Sequence, residues 1–276
     1  TRNLLAASLL AVFAWGMIEL TGNLLQWVAL SIAGYVTVSW LQGLSTRDKA
    51  SFRMMFHSKA LVFTTLAFPT IAFVSYGTSF WTAPFLIRVH GVTAADVGWY
   101  VGIGNAIGGL IGVVMGGMLA DRMKLYFVNG RLMIGIVTIL LTAPLILWMV
   151  KTEDLMTAYW LNFAYHIPAS MWVSIAPATV NDLVMPRMRA TAGAWFLLMN
   201  TIIGLALGPY AMGRLSDMFI AGGADSGAAL SQAIAWGQCI FILTAILLAL
   251  AMRYLPDDEA SRLDRARALG ESFDQK

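Results

Sequence analysis

The chain has 276 residues, 59% of them hydrophobic and only 12% charged, with a formal net charge of +3. A water-soluble domain carries roughly a quarter charged residues, so this composition excludes one and leaves enough apolar surface to face lipid. The basic residues stand in short segments beside apolar stretches, where they set membrane topology; the lipid bilayer is the expected partner and nucleic acid is not.

A membrane span needs about 20 mostly apolar residues. The sequence predicts spans at 4–20, 24–43, 60–86, 97–120, 132–150, 157–181, 190–213 and 231–252. The first two form a nearly continuous apolar stretch broken only at Thr21-Gly22-Asn23. A single straight helix of that length would run about 60 Å, twice the hydrocarbon core, so two spans are expected. The stretch lacks a small-residue cleavage pattern and runs straight into the second span, unlike a signal peptide. The chain opens on Thr1 without an initiator Met, as a fragment would.

Residues 44–59 carry Arg47, Lys49, Arg53 and Lys59 and form the candidate boundary between residues 1–43 and the later spans, 60–254. Phe52, Met54, Met55 and Phe56 fit either a segment lying on the membrane or a solvated connector. Trp81 and Trp99, then Trp148 and Trp160, flank the short links near Arg88 and Lys151 and read as headgroup-level anchors. The tail, 255–276, opens with Pro256 and acids and closes at Leu269-Gly270, which suits a short helix with a solvated, mixed-charge face. Alternating direction puts Arg2, the 44–59 cluster, Arg122, Lys124, Arg131, Arg187, Arg189 and the basic tail through Lys276 on one side. Only Arg88, Lys151 and Arg214 fall on the other. The basic side is expected to be cytoplasmic, with both termini there.

In the fourth span Gly104, Gly108, Gly112 and Gly116 recur at steps of four, which lays them on one helical face where a neighbouring backbone can approach. Gly102, Gly109 and Gly117 widen the smooth area, and Gly204 and Gly208 repeat the device in the seventh span. Pro69, Pro84, Pro144, Pro168, Pro177 and Pro209 each remove a backbone donor and bend a span, as suits a bundle that moves around a cavity. Polar groups recur at similar depth: Tyr76 and Ser79 in the third span, Asn105 in the fourth, Tyr165, His166 and Ser170 in the sixth, Asn200 in the seventh. Burying them without partners is costly. Two explanations stand, a substrate- or water-filled cavity, or interhelical hydrogen bonds that glue the bundle. His166 is the only ionisable group deep in the later spans, either a functional group or a neutral structural one. Glu19 lies near the outer end of the first span, where it can face water. Cys239 is alone, so no intrachain disulfide is expected. No zinc-spaced cluster, phosphate-cradling loop or paired intramembrane carboxylates occur, so neither a cofactor nor a metal is expected.

The segment GGMLADR, from Gly116 to Arg122, closes the fourth span. It resembles the signature loop of the major facilitator superfamily, with Gly117, Asp121 and Arg122 matching. Met123 and Lys124 stand where that family carries its next glycine, and a Gly-Arg pair comes only at Gly130-Arg131. Val184 to Pro209 with Gly213 to Asp217, and Ser79 to Gly98, are similar to the carboxyl-terminal half of Spinster-like members. The resemblance covers about residues 52–255 and implies a twelve-span fold in two six-helix halves, of which this chain holds the equivalents of helices five to twelve.

The expected fold is therefore all-α: a polytopic membrane bundle of about eight spans. Residues 1–43 would end an amino-terminal half, 44–59 would link the halves, 60–254 would form the carboxyl-terminal half, and 255–276 the tail. The resemblance implies a secondary transporter in a bacterial inner membrane. It would move a small or lipid-like organic substrate by alternating access, coupled to an ion gradient such as protons. Asp121 and Arg122 would steady the gate, and the seven polar residues would line the cavity. A truncated, non-transporting scaffold or subunit and an intramembrane enzyme are the competing classes.

Overall fold

The computed structural model describes residues 2–270; Thr1 and 271–276, with Lys276 of the expected tail, lie outside the described residues. Among those described, the regular structure is entirely helical. Seven helical segments among the described residues are long and apolar enough to cross a membrane. The chain divides into two compact units, Thr1–His57 with Leu263–Lys276, and Ser58–Arg262.

In the first unit α1 (Arg2–Thr21) and α2 (Leu24–Arg47) form the expected pair of spans. The chain reverses at Gly22, whose φ of 71° needs a glycine, and Asn23 caps α2 by accepting from Gln26 N at 3.3 Å. Trp27 Nε1 donates to Thr21 Oγ1 at 2.7 Å, and the Trp27 ring meets Phe13 edge-on, centroids 5.7 Å apart. Asp48 then separates α2 from α3 (Lys49–Phe56), its carboxylate accepting from Ser51 N at 3.0 Å and Ser51 Oγ at 2.6 Å. The short helix α3 is amphipathic, with Met54 and Met55 fully buried and Arg53 exposed.

The second unit is built around α4 (Lys59–His90), which touches most of the later helices and buries residues along its whole length. Its amino terminus is held from far along the chain: Asp258 Oδ2 accepts from Ala60 N and from Ser58 Oγ, each at 2.8 Å. Two further spans, α5 (Ala94–Tyr126) and α6 (Gly130–Met149), follow. The sixth expected span is α7 (Leu155–Ser170) and α8 (Trp172–Asp182), interrupted at Met171. Pro168 has no N–H for the preceding turn, and Met171 N bonds the Pro168 carbonyl in a tighter turn at 3.1 Å. This segment is not among the seven long apolar ones, because it carries Asn162, His166 and several hydroxyls.

A short 3₁₀ turn, Pro186–Met188, leads to α9 (Arg189–Met199), a π-helical stretch over Asn200–Ala206, and α10 (Leu207–Ala221). Pro209 cannot donate to the carbonyl one α-turn earlier, which accounts for the wider turn just before it. The last span is α11 (Ser226–Gly237) and α12 (Ile240–Ala260), with exposed Cys239 at the break. The sequence placed Pro256 in a separate tail helix; α12 instead runs through it to Ala260, and α13 (Arg262–Ala268) is only a short addition. Helices outrun the apolar stretches because hydrogen bonding along the backbone continues into the headgroup layer, where charged side chains are wet.

Candidate functional site

The glycine face of α5 brings its neighbour close. A Cβ on Gly108 would lie 2.9 Å from Phe163 O and 3.0 Å from His166 Cβ, and one on Gly116 would lie 2.7 Å from Met171 Cα. Gly112 faces Ile167 O in the same way. The α5 backbone is therefore pressed against α7 and its junction with α8. The same packing occurs at Gly204, where a Cβ would lie 2.7 Å from Ala72 Cβ of α4.

This close approach lets short polar side chains reach across helices. Asn162 of α7, only 1% exposed, donates from Nδ2 to Asn105 Oδ1 of α5 at 2.9 Å. One helical turn on, His166 Nδ1 lies 2.9 Å from Asn162 O. The His166 ring lies against that of Tyr165, with centroids 4.3 Å apart, and Tyr165 OH reaches Thr82 Oγ1 of α4 at 3.3 Å. A row of polar groups thus runs Asn105, Asn162, His166, Tyr165, Thr82 across three helices, hydrogen-bonded from Asn105 to His166 and from Tyr165 to Thr82 and joined between by ring contact alone. Asn162 Oδ1 is buried with no hydrogen-bond partner. A ligand or water donor can satisfy it, since a buried acceptor without a partner costs about 1–3 kcal/mol.

Of the seven polar residues singled out in the sequence, the structure brings Asn105, Tyr165 and His166 together. Ser170 stands beside Gly109, where its Oγ would be 3.6 Å from an added Cβ. Tyr76 packs edge-on against Trp172 of α8, centroids 6.1 Å apart. Ser79 is half-buried on α4. Asn200 opens the π-helical stretch near Gly204, and its Oδ1 is buried without a partner. Asn162 and Thr82 were missed. Asn162 was findable, four residues before His166 on the same helix face. Thr82 carries no sequence signal, because its role depends on which helix faces Tyr165. A separate cleft of about 430 Å³ lies between α5 and α7, lined by aromatic and apolar side chains including Trp99, Tyr100, Tyr159 and Trp160. None of the seven polar residues lines it.

The second cluster lies at the basic end of the bundle. Asp121 Oδ1 accepts from Arg131 Nε at 3.1 Å and Nη2 at 2.8 Å. Arg131 Nη1 also donates to Asp182 Oδ2, which takes Lys124 Nζ as well. Lys124 Nζ continues to Glu259 Oε1 at 3.0 Å, and Arg262 Nη1 donates to the Asp182 carbonyl. The network ties α5, α6, α8 and α12 together. The signature residues divide: Asp121 belongs to it, Gly117 packs near Ser174 at 3.5 Å from an added Cβ, and Arg122 is exposed outside it. Asp121 pairs with Arg131, not with the adjacent Arg122. The tight turn that lacks its usual glycine is made at Gly130, where a Cβ would run into the backbone of Met123 and Lys124. The tail face expected to be solvated instead supplies Asp258 to cap α4, Glu259 to hold Lys124 and Arg262 to bind Asp182.

No model of a protein family matches the chain. It is 31% identical over 150 residues to an MFS-type efflux pump of Mycolicibacterium smegmatis, covering 53% of this chain and 34% of the pump. It is 28% identical over 214 residues to protein spinster homolog 3 of Homo sapiens, covering 68% of this chain and 42% of that protein. The match to protein spinster of Drosophila melanogaster is 22% over 182 residues, covering 63% and 30%. The chain thus spans less than half the length of these curated relatives. Two crystal structures of a bacterial homologue of the human lysosomal transporter Spinster share the fold. The inward-facing, occupied form gives a TM-score of 0.58 at 23% identity, over 87% of this chain and 58% of that one. The inward-facing, unoccupied form gives 0.60 at 21%, over 96% and 66%.

Proposed function

We propose, from a membrane chain related to Spinster-like major facilitator transporters, that this protein carries the last two helices of one half and the whole carboxyl-terminal half of a secondary active transporter. Residues 1–43 would complete the first half, 44–59 link the halves, 60–254 form the second, and 255–276 the cytoplasmic tail. The whole protein moves a small or amphipathic organic solute by alternating access, driven by an ion gradient, across a bacterial inner membrane with both ends of this segment in the cytoplasm.

The observation that carries this reading is the polar chain from Asn105 through Asn162, His166 and Tyr165 to Thr82. It places hydrogen-bonding groups inside an apolar bundle and leaves an acceptor, Asn162 Oδ1, without a partner. Residues Tyr76, Ser79, Ser170 and Asn200 extend the lining when the halves close around substrate. The network around Asp182 serves as the cytoplasmic latch. Ion pairs that are partly exposed contribute little each, about 0–1 kcal/mol, so a latch built from them can open and close on each cycle.

The test is uptake into proteoliposomes of the transporter purified from its native membrane, with imposed pH gradients of either sign. The His166→Ala variant should lose the pH dependence of transport while the wild type keeps it. Unchanged pH dependence in the variant removes His166 from the mechanism, and absence of any gradient-driven flux in the wild type removes the transporter reading itself.

A further inference from the structure

The cleft of about 430 Å³ between α5 and α7 is built from two helical faces of the second unit. Trp99, Ile103 and Ile107 recur at helical spacing along α5, and Met156, Tyr159 and Phe163 do the same along α7, so each set shares a face. Tyr100 and Tyr159 stack between the helices with centroids 4.7 Å apart, and the indoles of Trp99 and Trp160 are 67% and 70% exposed. Tryptophan favours the headgroup level, and α5 descends about 12 Å from Trp99 to Ile107. The cleft therefore opens among aromatic rings at the headgroup layer and runs into the hydrocarbon along Ile103, Ile107 and Phe163.

Two polar features mark it as more than an apolar slot. Tyr159 lines the cleft and is only 8% exposed, and its hydroxyl is buried with no hydrogen-bond partner among the described residues. A buried hydroxyl without a partner is costly, and a ligand that bonds it recovers that cost. Asp96 stands one turn before Tyr100 on the same face of α5. Thr93 Oγ1 donates to Asp96 Oδ2 at 2.7 Å, and the Asp96 carboxylate acts electrostatically on Tyr159 across the mouth. No Lys or Arg lines the cleft.

The geometry points to a binding site for a single-chain lipophilic amine, held as its ammonium. The faces of aromatic rings attract cations, and a carboxylate at the mouth adds the complementary charge. The ammonium donates one N–H to the Tyr159 oxygen, which has lone pairs to accept it. Its alkyl chain lies along Ile103, Ile107 and Phe163. An anionic head in the same place would face the Asp96 carboxylate and the negative ring faces, so the site selects against it. This site is separate from the polar row, and it stands whether or not the protein transports what it binds.

The experiment is equilibrium binding of radiolabelled decylamine at neutral pH to the purified protein in phosphatidylcholine nanodiscs. Uptake by empty nanodiscs is subtracted, and size-exclusion profiles confirm folded material. The wild type should bind decylamine saturably and about tenfold more tightly than decanol or decyl sulfate. Tyr159→Phe should weaken decylamine about tenfold and leave decyltrimethylammonium, which has no N–H, unchanged. Asp96→Asn should weaken both cations about threefold, and less as salt is raised. Trp99→Leu should also weaken both about threefold. Trp148→Leu and Asp217→Asn remove an exposed indole and an exposed carboxylate outside the cleft, and should change nothing. Equal binding of decanol and decylamine would leave only an apolar slot, and equal loss of both cations in Tyr159→Phe would make that tyrosine merely structural. A comparable loss in either control would mean diffuse attraction. No saturable binding by the wild type would mean that lipid or another part of the protein fills the cleft. Each of these overturns the site.

Discussion

The contact between α5 and α7 can be tested by adding one methyl group at a time. Alanine is favoured over glycine in a helix by about 1 kcal/mol, so a Gly→Ala change on an open face should stabilise. Gly102 has nothing within 4 Å of an added Cβ, and Gly104 meets Asn162 Nδ2 at an ordinary 3.5 Å. Gly108 would meet Phe163 O at 2.9 Å and His166 Cβ at 3.0 Å, and Gly116 would meet Met171 Cα at 2.7 Å. Those atoms are backbone or the root of a side chain, so only a shift of α7 relieves them. Overpacking of this kind costs about 1–3 kcal/mol. Setting the helix gain against that cost, Gly102→Ala should stabilise by up to about 1 kcal/mol and Gly108→Ala should destabilise by about 0–2. Gly112→Ala, whose Cβ would run furthest into a backbone carbonyl, that of Ile167, should be the worst of the series. At about 2–4 °C per kcal/mol for a domain of this size, the two ends of the series should differ by several degrees in thermal unfolding followed by tryptophan fluorescence in detergent. Equal shifts at Gly102 and Gly108, or a stabilised Gly116→Ala, would refute the claim that the glycine face is a contact surface.

Replacing Asp182 by Asn removes the carboxylate shared by Lys124 and Arg131; because those groups are partly exposed, the loss should be about 1 kcal/mol. The difference from wild type should shrink as salt is raised, and a loss independent of salt would rule out an electrostatic latch. Asp258→Ala should weaken the first turn of α4 by about 0.5–2 kcal/mol, seen as faster amide exchange at Ala60; unchanged exchange would mean that the cap contributes nothing. A double-mutant cycle of Asn105→Ala and Asn162→Ala should give a coupling of about 0.6 kcal/mol, with an upper limit near 1.7. Zero coupling would mean that the two amides do not bond in the membrane.

The sequence by itself determined the class and the course of the chain. Apolar stretches long enough to span, separated by short basic links, leave lipid as the only solvent that fits, and Thr21-Gly22-Asn23 splits the first stretch where the structure turns at Gly22. The four-residue glycine spacing already specified a tight helical face, because helical periodicity is a local property. Which helix fills that face is not local. Asn162 and Thr82 join the polar chain only because α7 lies against α5 on one side and α4 on the other. The partner of Asp121 shows the same limit. The motif names Asp121 and Arg122 together but no partner for either, and a helix rotates consecutive side chains by about 100°, so neighbours in the chain diverge. Arg131 reaches Asp121 from the next helix once Gly130 lets the turn close. The tail residues Asp258 and Glu259 read as a solvated face because composition records charge but not its surroundings. Packing α12 beside α4 and α6, within reach of Lys124 from α5, turned them into a helix cap and an ion-pair partner, since a charge takes the role of whatever backbone or side chain the tertiary fold sets against it.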